Sequence, residues 1–176
     1  MHEYIKSHQE IFKNKKLLEI SCGCGLVSFT LSLINVQLVI ATELDDILNN
    51  NTKKNLLLNN LENEKNIQLI PLEWGNKEDL NHLFTLYPNF DILIISECLY
   101  EDAPFDKLLI TLIKLCKFYK NIEVYFTYKK RYIFQDICIE KLKKYFTIED
   151  IDRNEIHKDF RNINNYQFFK LKLINN

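Results

Sequence analysis

Leu17-Leu18-Glu19-Ile20 is a short apolar run that gives way to the small residues Ser21-Cys22-Gly23-Cys24-Gly25, and Leu26 to Leu33 then continues with helical character. That order predicts a strand, a tight turn and a helix N-terminus. Two of the chain's three glycines lie in the turn. Glycine has no Cβ, so its backbone can bend sharply or come close to a ligand. Backbone N–H groups and the positive end of the helix dipole converge on such a turn, which suits it to a polar small molecule. A plain strand-to-helix connection has the same signature, and the residues downstream must separate the two readings.

They supply a repeating pattern. Val36-Gln37-Leu38-Val39-Ile40-Ala41 has too few polar positions for a half-exposed strand, and a strand buried on both faces belongs in a parallel sheet covered by helices. It ends at Thr42-Glu43, with Glu43 standing 20 residues past Gly23. In dinucleotide-type folds an acid about 20 positions past the glycines takes ribose hydroxyls. Residues 45–61 read as one amphipathic helix carrying Ile47, Leu48, Leu57, Leu58 and Leu61. A third strand runs from Ile67 to Leu72. Beyond it lie Trp74, the only tryptophan, and Asn76, a helix N-cap residue. Trp74 sits at the strand edge where open α/β sheets bind ligands, well placed to lie against a flat ring.

Asp91-Ile92-Leu93-Ile94-Ile95-Ser96 is a central strand running directly into Glu97-Cys98-Leu99-Tyr100. Phe105, Leu108, Leu109, Leu112, Ile113 and Cys116 then recur at helical spacing. Further strands are expected at 123–128, 146–148 and 166–173, with a helix near 134–145. The alternation of the last strand suits an edge or antiparallel position. Near the N-terminus, Tyr4, Ile5, His8, Ile11 and Phe12 predict one helix over residues 2–14. Strands alternating with helices around a glycine loop predict a doubly wound α/β sheet in a single domain over residues 1–176.

The 176 residues carry a net charge of −1, which gives no general argument for nucleic acid or membrane as a partner. No apolar run is long enough to span a bilayer. The cysteines are odd in number, five, and sit inside apolar elements, which suits reduced thiols in the cytoplasm or nucleus. Cys22-x-Cys24 lacks metal-ligand spacing and no histidine is near it, so no metal site is expected. The basic Lys129-Lys130-Arg131 reads as an ordinary solvated strand end before it reads as a surface for an acidic partner.

Four blocks occur in order: Leu18-Glu19-x-Ser21-x-Gly23-x-Gly25, Thr42-Glu43, Leu72-Glu73-Trp74-Gly75, and Asp91 through Ser96 followed by Glu97-x-x-Tyr100. Together they resemble the class I, seven-strand S-adenosylmethionine-dependent methyltransferases. Within these, the chain looks like methyltransferase family 16, whose better-known members methylate lysine side chains of proteins. The resemblance implies a Rossmann-like, three-layer α/β/α fold with seven strands, mostly parallel, the last antiparallel. It implies S-adenosylmethionine as cofactor, with S-adenosylhomocysteine as product, and a protein as substrate. Glu19 and the loop Ser21, Cys22, Gly23 and Gly25 would hold the methionine part. Glu43 would take the ribose, Trp74 would contact the adenine, and Ser96 would line the pocket beneath it. Glu97 and Tyr100 would face the acceptor amine as the catalytic pair.

Three departures from the family pattern carry expectations. Ser21 replaces the loop's first glycine, which requires that this position avoid a positive φ. Glu43 replaces a commoner, shorter aspartate. About 16 residues precede the first strand, without a tryptophan, so the segment that closes over the cofactor in the family is expected to be short or missing. The sequence leaves other readings open: methylation of another side chain or of a small molecule, or a degenerate, non-catalytic domain that binds a partner protein. A monomer is expected. A nicotinamide oxidoreductase fits poorly, because Ser28 stands where the third glycine of G-x-G-x-x-G belongs.

Overall fold

A computed structural model describes residues 1–174. The elements in chain order are α1 (His2–Ser7), α2 (Gln9–Phe12), β1 (Lys16–Ile20), α3 (Leu26–Ser32), β2 (Leu38–Glu43), α4 (Asp45–Ile47), a π-helical turn (Leu48–Thr52) and α5 (Lys53–Leu58). β3 (Ile67–Pro71), α6 (Lys77–Leu86), β4 (Ile92–Ser96), α7 (Phe105–Phe118), β5 (Glu123–Lys129) and α8 (Phe134–Lys143) follow. The chain ends with β6 (Phe146–Asp150), a 3-10 turn (Arg153–Glu155), α9 (Lys158–Arg161) and β7 (Tyr166–Leu173).

The strands form one sheet in the order β3-β2-β1-β4-β5-β7-β6. β1 pairs in parallel with β2 on one side and β4 on the other, so chain direction along the sheet reverses between β1 and β4. β7 is antiparallel to both β5 and β6. The last strand is thus antiparallel, as expected, but it is not an edge; it is inserted between β5 and β6, and β6 takes the edge. Open α/β sheets bind ligands beyond the carboxyl ends of their strands, where the order reverses. Here that place is the end of β1 and β4. Ile20 is in register with both Thr42 and Ile95, so Ser21, Glu43 and Ser96 emerge at one level.

Alternate residues of the central strands feed two cores. Leu93, Ile95 and Phe126 pack with Leu80, Leu83, Leu108 and Leu112 of α6 and α7. Ile92, Ile94 and Tyr125 pack with Tyr4, Phe12, Phe29 and Leu31 on the other face. Helices therefore cover both sides, which is why β1, β2, β4 and β5 read as continuous apolar runs.

Two expected helices are interrupted. The N-terminal one breaks at His8 (φ −129°, ψ 44°), whose ring stacks on Tyr4 and whose Nδ1 lies 3.1 Å from the Tyr4 carbonyl oxygen. A side chain that engages a backbone carbonyl in this way competes with the helix. The second is the 45–61 segment. Its π turn takes one extra residue, which rotates everything after it by about 100° relative to a straight helix. Leu48 is buried, but Leu57 and Leu58 are 58% and 78% exposed rather than on the core face.

Candidate functional site

The turn after β1 contains three positive-φ residues, Ser21 (φ 56°), Gly23 (54°) and Gly25 (91°). Ser21 does adopt the left-handed conformation that the sequence reading required it to avoid; the serine takes glycine's place with glycine's geometry. At Gly25 a Cβ would come within 2.3 Å of the Phe29 ring, so glycine is needed there for close packing as well as for φ. The Cys22 N–H donates to the Thr42 carbonyl at 2.9 Å and the Gly25 N–H to the Cys22 carbonyl at 2.8 Å. From the π turn, the Thr52 hydroxyl donates to the Gly23 carbonyl at 2.6 Å, and from α5 the Asn55 amide donates to the Cys24 carbonyl at 3.0 Å. The widened turn is thus the clamp that holds the loop from its far side.

Glu43 closes the near side. Its two carboxylate oxygens accept the Gly23 N–H at 3.1 Å and the Leu44 N–H at 2.9 Å. Each oxygen retains a lone pair for a further donor. Glu43 also lines a cavity of about 130 Å³ with Ser21, Leu44, Leu72, Trp74 and Tyr100. Trp74 and Tyr100 form one wall, their ring centroids 6.4 Å apart. The Gly75 N–H, donating to Thr111 Oγ1 at 2.8 Å, ties the turn after Trp74 to α7. At the mouth, Lys107 pairs with Glu73 at 3.1 Å.

Glu97, next after β4, is a non-glycine residue at φ 60°. Such backbone conformations persist where surrounding structure enforces them and gather at functional sites. It lines a second cavity, of about 360 Å³, with Ser96, Thr127, Phe160, Tyr166 and Phe168. Its N–H donates to the Thr127 carbonyl at 2.9 Å.

Beneath the loop, Glu19 is buried and accepts the Ser28 hydroxyl. Burial raises its pKa to about 7, the Ser28 hydrogen bond opposes the rise, and the nearby Glu43 carboxylate adds to it. Burial, reinforced by Glu19, likewise pushes the Cys22 and Cys98 thiols up, so both stay protonated and neither is a nucleophile.

A family model described as lysine methyltransferase matches residues 1–147. The chain belongs to the lysine methyltransferase family. It is 28% identical over 155 residues to the protein-lysine methyltransferase METTL21E of Mus musculus, covering 84% of this chain and 60% of the mouse protein. The bovine (Bos taurus) METTL21E is 29% identical over 143 residues, with 78% and 46% covered. The electron transfer flavoprotein beta subunit lysine methyltransferase of Danio rerio is 27% identical over 105 residues, with 60% and 36% covered. The chain therefore spans roughly a third to three fifths of the length of these relatives. Among solved structures, a TehB-like SAM-dependent methyltransferase from Corynebacterium glutamicum superposes with a TM-score of 0.65 at 14% identity, over 97% of this chain and 87% of that one. A methyltransferase-type protein from Streptococcus mutans, solved with SAH, gives 0.63 at 16% identity over 98% and 95%. These identities establish a shared fold.

In this member of the lysine methyltransferase family the residues singled out from the sequence divide between the two cavities. Ser21, Glu43, Trp74 and Tyr100 meet in the first. Ser96 and Glu97 meet in the second, so Ser96 does not line the Trp74 cavity as expected. Tyr100 is likewise separated from Glu97 and stands beside Trp74. Glu19 and Cys22 lie buried, and neither lines either cavity. Gly23 and Gly25 act through the loop backbone.

Sequence reasoning passed over Thr52, Asn55 and Gln135, and it gave Ser28 and Arg131 no part in the site. Of the hydroxyls along the otherwise apolar α3, Ser28 meets Glu19 beneath it, whereas Thr30 and Ser32 donate to the carbonyls of Leu26 and Phe29 in their own helix. Nothing in the sequence marked Thr52 or Asn55. The Lys129-Lys130-Arg131 end of β5 is not simply solvated: Lys130 pairs with Asp136 at 2.6 Å and Arg131 with Glu97 at 2.7 Å.

Proposed function

We propose that the chain is an S-adenosylmethionine-dependent methyltransferase that methylates the ε-amine of a lysine in another protein. The observation that carries this reading is the pair of cavities at the carboxyl ends of β1, β2 and β4, one walled by Glu43 and Trp74, the other by Glu97. Membership of the lysine methyltransferase family and the names of the METTL21E and flavoprotein-methylating relatives support it.

The residues present fit the cofactor. Each Glu43 oxygen accepts one backbone N–H and keeps capacity for another donor, which suits ribose hydroxyls. Trp74, Leu72 and Leu44 offer a flat apolar slot to an adenine. When bound, the cofactor supplies an activated methyl group on a cationic sulfonium. What remains for the protein is alignment of the acceptor nitrogen and exclusion of water. A lysine has a reference pKa of about 10.4 and arrives protonated. Glu97 attracts and orients that ammonium, and the proton must leave, to solvent or through Glu97, before the nitrogen lone pair can attack. Phe160, Tyr166 and Phe168 give the lysine's methylene stem an apolar wall. All five cysteines are free and four are buried, which supports a reducing compartment, the cytoplasm or nucleus, as the place of action.

Calorimetric titration with S-adenosylmethionine and S-adenosylhomocysteine tests the cofactor half. Micromolar binding is expected, abolished in Glu43→Ala; a folded wild-type chain that binds neither ligand overturns the reading. Tritiated methyl transfer, with the modified residue located by mass spectrometry, tests the acceptor half. Label on lysine that is lost in Glu97→Ala, with S-adenosylhomocysteine binding retained, is the expected result.

A further inference from the structure

Glu97 already has a cation. Arg131 Nη1 donates to Glu97 Oε2 at 2.7 Å, and the two side chains are 46% and 42% exposed. The contact raises the arginine's pKa further, chiefly through this hydrogen bond, so Arg131 carries its charge at every working pH. The backbones that bear the two side chains are fixed independently. Glu97 is held by its left-handed φ and by its N–H bond to the Thr127 carbonyl. The Arg131 N–H donates to Gln135 Oε1 at 2.7 Å, and Gln135 is wholly buried. The Gln135 amide in turn donates to the Leu99 carbonyl at 2.6 Å, tying the loop after β5 to the Glu97-x-x-Tyr100 segment. Neither backbone needs the ion pair to stay in place. The movable part is the pair itself, which lies half in solvent, where such contacts are weak and exchange readily.

We propose that Arg131 is a specificity-determining residue for the acceptor: its guanidinium holds the place on Glu97 that the acceptor's ammonium takes, so entry of the acceptor exchanges one cation for another. This rests on the reading of Glu97 as the acceptor-side carboxylate. The exchange selects by charge. An incoming ammonium restores to Glu97 the cation it gives up, whereas a hydroxyl or amide of similar length leaves the carboxylate without its counter-ion. The cavity that begins at Glu97 has Phe160, Tyr166 and Phe168 on one side and Met1, His2, Glu3 and His157 among its other lining residues, and its aromatic side suits an entrant with an apolar stem and a charged tip. Removing Arg131 leaves Glu97 in place, since its backbone is held from elsewhere. The carboxylate then has one competing cation fewer, the Met1 amine that lines the same cavity being common to wild type and variant.

The experiment uses n-butylammonium as the lysine side-chain probe and n-butanol as its neutral counterpart. Each is titrated by NMR into the chain with and without saturating S-adenosylhomocysteine, with thermal melts confirming that every variant folds. Arg131→Ala is expected to bind n-butylammonium about two- to fivefold more tightly than wild type, the range set by the weakness of exposed ion pairs. Its affinity for n-butanol is expected to be unchanged. Arg131→Lys, which restores a cation, is expected to return the affinity to the wild-type value, and Glu97→Gln to abolish n-butylammonium binding. Weaker or unchanged n-butylammonium binding in folded Arg131→Ala overturns the exchange, because Arg131 would then be supporting Glu97 or irrelevant to it. Failure to bind S-adenosylhomocysteine would instead sink the cofactor reading, and the titration without that ligand would still decide the role of Arg131.

Discussion

Glu19 is a carboxylic acid packed under the loop where its charge has no water around it, and burial lifts its pKa from 4.5 to about 7. An acid whose pKa is higher folded than unfolded leaves stability untouched below the unfolded value. As pH rises from 4.5 towards 7, the unfolded chain releases the proton while the folded chain keeps it, and folding loses ground; above 7 the full penalty is present. At roughly 1.4 kcal/mol per unit, that penalty is about 3 kcal/mol. Glu19→Gln keeps an oxygen for the Ser28 hydroxyl and removes the ionisation. Urea unfolding should therefore show the variant and wild type nearly equal at pH 4.5 and the variant more stable by about 3 kcal/mol at pH 8. A difference that stays flat across this range would mean that Glu19 is solvated and titrates normally. At the same scale, Ser21 and Glu97 are two non-glycine residues at positive φ in the loops that follow β1 and β4. Both conformations carry a local cost that the surrounding sheet must hold in place.

At the scale of elements, the π turn has the largest consequence for the site. Thr52 at its end and Asn55 in α5 reach the carbonyls of Gly23 and Cys24. Thr52→Val keeps the side chain's shape and removes the donor, leaving the Gly23 carbonyl without this partner. A loss of about 1–2 kcal/mol in stability is expected. Affinity for S-adenosylhomocysteine should fall by more than that stability loss alone implies, because the loop the bond holds also carries the Gly23 N–H that anchors Glu43. Paired denaturation and calorimetry check this; unchanged affinity with reduced stability would show that the clamp serves only the fold. The interrupted helix also marks where the sequence stopped being informative. Leu48-Asn49-Asn50-Asn51-Thr52 reads as ordinary polar helix, and the contact made from its end is to a loop 29 residues away. The central strands were legible because two-sided burial leaves an unbroken apolar run, and the Asn76 cap because its oxygen takes the Glu78 and Asp79 N–H groups locally. The gathering of Ser21, Glu43 and Trp74 followed from strand ends sharing one edge. The division of Glu97 from Tyr100, and the reach of Arg131 across to Glu97, depend on side-chain directions set by backbone torsions and by Gln135. No sequence period reports those.

At the scale of the whole molecule, the family match ends at Thr147 but the sheet does not. β7 lies between β5 and β6 and pairs with both, over Val124 to Lys129 on one side and Phe146 to Asp150 on the other. Without it β6 has no neighbour in the sheet and β5 becomes an open edge. Phe168, Phe169 and Leu171 are buried, Phe168 with the α3-side core and the other two with the α7-side core. At about 1.5–3 kcal/mol for each buried apolar side chain, their loss amounts to roughly 5–9 kcal/mol, as large as the whole stability of many domains. A chain ended after Asp150 should consequently show no cooperative melting transition by circular dichroism. Phe169→Ala, which keeps the strand and opens a cavity, should lower stability by about 3–5 kcal/mol while leaving the transition cooperative. A truncated chain that melts cooperatively within a few degrees of the full one would mean that β5 closes the sheet unaided. β7 also carries Tyr166 and Phe168 into the cavity beside Glu97. The strand that completes the sheet therefore also builds a wall of that cavity, and under the proposed function acceptor selection would depend on residues beyond the segment by which the family is recognised.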